Sequence, residues 1–230
     1  MSLIEILKNK TKVACFTTPS HSQRFFIFNK FRQFYKYDIS ETDAYNPEEA
    51  LKLAEQKAAK IYKTKSTHFL TNGSTSGVIA AALAVIGEQE RGNREQESDE
   101  QVGCNFLHQI VGQAMLDKAD KILIWDNSHS CHQNAVKLAG AEPVFYSLEK
   151  DEDWGVYKSV NPQVVEEKLK SNDIKAVIVT SPSYYGIVSD IKVISEICKK
   201  YGAYLIVDEA HGALYPFCDR LPESAICQGA

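Results

Sequence analysis

The 230-residue sequence lacks any hydrophobic run of membrane-spanning length. Its longest nearly uncharged apolar stretch, Val78 to Gly87, is about half of what a spanning helix needs. Met1 to Lys12 alternates charge with aliphatic residues and contains no signal-peptide core, so a cytoplasmic protein without membrane contact is expected. A basic cluster is missing too: 26 Lys and Arg stand against 30 Asp and Glu, for a net charge of -4 and a pI near 5.9. That excludes the electrostatic footprint of a nucleic-acid binder and leaves small molecules or protein partners. The six cysteines form no CxxC pair and show no regular spacing, as expected where thiols stay reduced. They read mostly as small buried hydrophobes. There is no repeat at a fixed period and no GxxxxGK[ST] phosphate loop.

What is present suffices for a sizeable core, since 44% of the residues are hydrophobic. Asn46-Pro47-Glu48-Glu49 is a helix start, with a capping Asn, Pro in the first turn and acids at the positive end of the dipole. Leu51, Ala54, Ala58 and Ile61 then recur at helical spacing. Thr67 to Thr71 reads as a short strand, Gly73-Ser74-Thr75-Ser76-Gly77 as a small-residue loop, and Val78 to Ile86 as an Ala-rich helix. The alternation continues with strand Ile122 to Trp125, helix His132 to Ala139, strand Pro143 to Tyr146 and helix Pro162 to Leu169. Strand Ala176 to Thr180, helix Asp190 to Tyr201 and strand Ala203 to Val207 complete it. Strands that are apolar throughout and alternate with helices predict an α/β fold, a three-layer, mostly parallel sheet covered on both faces. Its ligand site belongs at the carboxyl ends of the strands. The polar stretch Glu88 to Gln101 predicts a solvated loop. Residues 1–46 then form an N-terminal segment, and 47–230 the main domain.

Three strand exits carry side chains capable of chemistry. Ser74, Thr75 and Ser76 could offer hydroxyls and backbone N–H groups to an anion at a helix start; an ordinary capping turn has the same composition. Asp126-Asn127-Ser128-His129-Ser130-Cys131-His132 offers two imidazoles and a thiol. No second ligand pair lies nearby in sequence, so no metal is expected, and a histidine satisfied by its own loop is the plain alternative. Leu205 to His211 places Asp208, Glu209 and His211 at the end of a buried strand. In a DEAH-type helicase such carboxylates would hold Mg²⁺, a chemistry that also needs the absent lysine-bearing loop. In a pyridoxal phosphate (PLP) enzyme the Asp would pair with the pyridinium nitrogen.

The order and spacing of these motifs are more specific than any one of them. Thr17-Thr18-Pro19-Ser20-His21, Asn72-Gly73-Ser74-Thr75-Ser76, Asn127-Ser128-His129, Thr180-Ser181-Pro182-Ser183-Tyr184-Tyr185-Gly186 and Val207-Asp208-Glu209-Ala210-His211-Gly212 resemble the successive signatures of the Orn/Lys/Arg decarboxylases, PLP enzymes of the aspartate aminotransferase-like fold. The resemblance implies PLP as cofactor, a basic amino acid as substrate and a homodimer or larger homo-oligomer. It implies phosphate binding by Ser74, Thr75 and Ser76, stacking of His129 on the cofactor, Asp208 at the pyridine nitrogen, His211 near the phenolic oxygen and Ser181 lining the pocket. Catalytic contacts would fall to Asp208, His211 and His129. The sequence departs from the family at Ser20 and Ser22, where Pro-Gly-His-Lys is usual, and at Asp126 and Ser130, where the family carries cations; set against the family's short connection, 88–117 looks like an insertion. No lysine follows Asp208, although the family's cofactor-holding lysine lies beyond that position. This predicts an inactive isolated chain, with a non-catalytic remnant or partner subunit that retains the fold as the rival reading; a P-loop ATPase is disfavoured by the absent lysine loop.

Overall fold

A computed structural model describes residues 49–91 and 120–230. The chain divides into two compact units, residues 1–71 and 72–230. The first motif, Thr17 to His21, lies outside the described residues, as does most of the expected insertion.

Within the first unit, helix α1 spans Glu49–Tyr62. Its buried positions are Ala50, Leu51, Glu55 and Ala59, while Ile61 is 56% exposed. The buried stripe is therefore rotated by about one residue from the expected Leu51, Ala54, Ala58 and Ile61. Glu55 explains the shift: its carboxylate accepts from the backbone N–H of Phe69 at 3.0 Å, so a buried charge is satisfied by the returning chain. That chain, Thr67 to Thr71, is not a strand. Its Phe69 and Leu70 side chains are exposed, and Phe69 spends its N–H on Glu55 instead of on a sheet ladder.

The second unit holds a four-stranded sheet. Helix α2 (Gly73–Arg91) precedes strand β1 (Lys121–Trp125), helix α3 (Ser130–Leu138) and strand β2 (Glu142–Tyr146). Helix α4 (Pro162–Ser171), strand β3 (Ile174–Thr180), helix α5 (Ile191–Lys200) and strand β4 (Tyr204–Asp208) follow. Two corrections to the sequence reading concern α2: the small-residue loop is its first turn, and it continues through Glu88 to Arg91 where a loop was expected.

The strand order is β2-β1-β3-β4, and every pair is parallel. Strands β3 and β4 are adjacent, with Ala176 opposite Tyr204 and Thr180 opposite Asp208, joined by the α5 crossover as the alternation implied. Among the described strands β4 is terminal, and its Tyr204 is half exposed.

Period-two alternation explains why apolar strands build two cores. Leu123, Val177 and Val179 face Val165 and Leu169 of α4 and Ile191, Ile194 and Cys198 of α5. Ile122, Ile124, Ala176 and Ile178 face Val78 and Ala82 of α2, Ala135 and Val136 of α3, and its C-cap Ala139. The sheet is thus sandwiched between two helical layers, as expected. Asp190 caps α5 by accepting from the Val193 N–H at 3.1 Å, and Gly202, at φ +68, takes the left-handed turn that ends it. Of the described cysteines, Cys131 and Cys198 are buried, Cys218 is intermediate and Cys227 exposed, so only half act as core hydrophobes.

Candidate functional site

Three chain segments leave the carboxyl ends of adjacent strands and meet. From β1 the chain turns through Asp126, whose carboxylate accepts from Ser147 Oγ at 2.5 Å, and enters α3. From β3 it enters the Ser181-Pro182 turn, and from β4 it ends on Asp208. Ser181 N–H donates to the Asp208 carbonyl at 3.1 Å, and buried Ser181 Oγ accepts from Ser189 N–H at 3.1 Å. The β3 exit is thereby fixed to the β4 exit by backbone as well as by side chain.

Asp208 is the centre of the cluster. Its side chain is only 10% exposed. Oδ2 accepts from His132 Nε2 at 3.1 Å and Oδ1 from Ala210 N–H at 3.2 Å. The His132 bond, with the Ala210 bond and nearby His132 and His129 in support, outweighs burial and holds the carboxyl below its ordinary value of 3.8. An anion is therefore maintained where a strand leaves the sheet.

His132 is fully buried, and its Nδ1 has no partner among the described residues. Because the carboxylate can only accept, the proton of this bond sits on Nε2. Sequence reasoning weighed His132 as a metal ligand or as a histidine satisfied by its own loop, and not as the partner of Asp208. A signal was available: His132, Ala135 and Val136 form the buried stripe of α3, continued by its C-cap Ala139, and an imidazole in such a stripe needs a partner.

Of the other expected residues, Ser181, His129 and Thr75 are linked to this cluster, while the contacts of His211 and Ser76 lie with their own neighbours. His129 caps α3, with Nδ1 accepting from Cys131 N–H at 3.2 Å, so one of its nitrogens is satisfied within its own loop. Its ring is otherwise exposed. The Cys131 side chain is buried. Burial first, and then the Asp208 charge, push its thiol up, against a hydrogen bond from the Thr75 side chain. That contact ties the first turn of α2 to the cluster. Ser74 and Thr75 are exposed there, while Ser76 Oγ donates to Gly73 O at 2.8 Å and so acts partly as a local cap. His211 is exposed three residues beyond Asp208, its ring edge-on to Tyr184 with centroids 5.6 Å apart. Glu209 faces away from the cluster. It accepts from Ser224 Oγ at 2.7 Å and Ala225 N–H at 2.8 Å, anchoring a later turn of chain.

Fold and site together define an α/β domain that presents a buried-side anion, an imidazole face and helix-start hydroxyls at the carboxyl ends of a parallel sheet. Residues 101–230, more than half of the chain, match the Orn/Lys/Arg decarboxylase major domain, and the chain belongs to that family, whose cofactor is PLP. It is 26% identical over 225 residues to the arginine decarboxylase of Bacillus subtilis strain 168, covering 94% of this chain and 40% of the relative. The YaaO protein of the same organism is 30% identical over 189 residues, 82% of this chain and 33% of the relative. A solved structure of the SepCysS-SepCysE N-terminal domain complex aligns at 16% identity with a TM-score of 0.49, covering 79% of this chain and 40% of the other. The chain spans a third to two-fifths of the length of these two curated relatives.

The donor set fits PLP. An ionised carboxylate suits a pyridinium, exposed hydroxyls at a helix start suit a phosphate, and an exposed imidazole beside the carboxylate suits the ring between them.

Proposed function

We propose that this chain is the cofactor-binding part of a PLP-dependent decarboxylase acting on a basic amino acid: lysine, arginine or ornithine. The observation that carries the proposal is Asp208, held ionised by buried His132 at the carboxyl end of β4. Its charge keeps the pyridine nitrogen protonated. Ser74, Thr75 and Ser76, with the free N–H groups of the first turn of α2, hold the phosphate. His129 lies against the ring face, His211 serves the phenolic oxygen, and Ser181 fixes the wall of the pocket. PLP, when bound, supplies the electron sink that takes up the pair left on Cα as CO₂ departs. Relatives named arginine decarboxylase support a substrate with a basic side chain. Exposed Tyr184, edge-on to both His211 and exposed Tyr185, supports a homo-oligomer that covers this rim, and a cytoplasmic setting belongs to the same reading.

Covalent capture of the cofactor requires an amine at the site. Lys192, Lys199 and Lys200, on the crossover that leads to β4, all lie on the exposed face of α5. The 230 residues are therefore proposed to bind PLP reversibly and to release no CO₂ by themselves. The test is PLP titration of the purified chain, followed by borohydride reduction and mass mapping. Saturable binding that Asp208→Ala weakens at least about tenfold, the loss of one charge-assisted contact, is expected. Binding indifferent to Asp208 overturns the cofactor placement, and CO₂ release from any of the three amino acids overturns the inactivity.

A further inference from the structure

We propose that Cys131, His132 and Asp208 form a binding site for a divalent ion of the zinc class, and that an ion there competes with the cofactor for Asp208. One ligand atom from each residue lies within 4.8 Å of the others. The set offers one sulfur, one imidazole nitrogen and one carboxylate oxygen, the three donor types that zinc takes, with a fourth position left to water. In a tetrahedral zinc site such donors stand roughly 3.3–3.8 Å apart. His132 Nε2 and Asp208 Oδ2 are already 3.1 Å apart, so closure asks for a shift of about 1 Å at the thiol, within the reach of a side-chain torsion.

Two features make the cluster more than a chance grouping. Both donors from α3 are buried, Cys131 at 4% and His132 at 0% exposure, and are held by a helix start whose cap is made by His129. His132 also keeps a buried Nδ1 without a partner among the described residues, a cost that stays with the apo site and that a change of ring protonation on metal binding would redistribute. Charge favours the ion as well. Coordination breaks the Cys131 S–H bond, forms a metal–sulfur bond and releases that proton to solvent, while the His132 proton moves from Nε2 to Nδ1 so that the Nε2 lone pair takes the ion, with no change of oxidation state. A divalent ion with one thiolate, one carboxylate and a neutral imidazole is then electrically neutral, which is what a buried site tolerates. The third ligand comes from a strand end 76 residues beyond His132, so ligand spacing along the chain gives no hint of it.

The ion takes the carboxylate that the pyridinium would use, so cofactor and metal antagonise each other reciprocally; this half of the proposal rests on the cofactor reading above. The experiment is a titration of the full chain, free of PLP, with Co²⁺ and then Zn²⁺. Expected are one Co²⁺ per chain, a thiolate-to-cobalt charge-transfer band, displacement by Zn²⁺, and loss of the band in Cys131→Ser with unchanged circular dichroism. No band at saturating Co²⁺, or a band that survives Cys131→Ser, overturns the site. Should Cys131→Ser fail to fold, Asp208→Asn decides instead: it must weaken Co²⁺ binding at least about tenfold, and equal binding overturns the site. Saturating PLP should raise the Co²⁺ concentration required at least about tenfold. If it does not while the thiolate band stands, the competition and the cofactor placement fail and the metal site remains.

Discussion

The bond from His132 Nε2–H to Asp208 Oδ2 makes the stability of the second unit depend on acid. Asp208 has a folded-state pKa below its ordinary 3.8, so the unfolded chain takes up the proton first as pH falls. The stabilisation is complete above the ordinary value and is lost as pH drops through the folded value. Urea midpoints measured from pH 6 downward should therefore decline below about pH 4, where unfolded aspartates protonate. Asp208→Asn should remove part of that slope while leaving the other carboxylates' share. Equal slopes in both proteins would mean that the His132 bond does not form in solution. At this scale the sequence was readable for Asp208, because an acid ending an apolar strand has few structural reasons to be there. It was less readable for His132, whose role depends on a partner that only the β1-β3-β4 neighbourhood brings near.

Between the residue and the sheet lie the turns that aim these side chains. Gly212 is buried in the turn after β4, and a Cβ there would meet Glu209 Cγ at 2.6 Å, Pro182 Cδ at 3.1 Å and Tyr215 Cε2 at 3.1 Å. Glu209 cannot swing aside cheaply, because Ser224 and Ala225 both hold its carboxylate. Pro182 belongs to the turn bonded to the Asp208 carbonyl. Gly212→Ala should then cost about 1–3 kcal/mol as an overpacked contact and displace the segment that carries His211. Urea denaturation gives the first effect, and a cost under about 0.5 kcal/mol, the level of ordinary surface changes, would show that the turn yields freely. Elements with a clear period were legible: α5 buries Ile191, Ile194 and Cys198, at the spacing its sequence displays. Thr67 to Thr71 was misread because Thr67, Phe69 and Thr71 are β-prone whether a sheet or a helix carboxylate takes the Phe69 N–H. The first turn of α2 was misread because Gly, Ser and Thr suit a loop and a helix start equally.

At the scale of the whole unit, the two ends of the proposed cofactor site belong to different layers. Thr75 stands on α2, in the helical layer packed on Ile122, Ile124, Ala176 and Ile178, while Asp208 ends a strand of the sheet itself. The two are connected through Cys131, which meets the Thr75 side chain on one side and feels the Asp208 charge on the other. A ligand with both a phosphate and a pyridinium therefore bridges layer and sheet. Two fragments that carry these groups separately each reach one end and forgo the gain from being linked. PLP at about 100 times its dissociation constant should stabilise the folded state by roughly 2.7 kcal/mol, a rise of about 5–10 °C in Tm for a unit of this size. Pyridoxal and inorganic phosphate, separately or mixed at the same concentration, should give clearly smaller shifts. Thr75→Val should reduce the PLP shift and leave the pyridoxal shift alone, and Asp208→Asn should do so for both. A phosphate shift equal to that of PLP would mean that the ring makes no contact with Asp208. Binding would then be confined to the start of α2, and the carboxylate at the end of β4 would be left without the partner proposed for it.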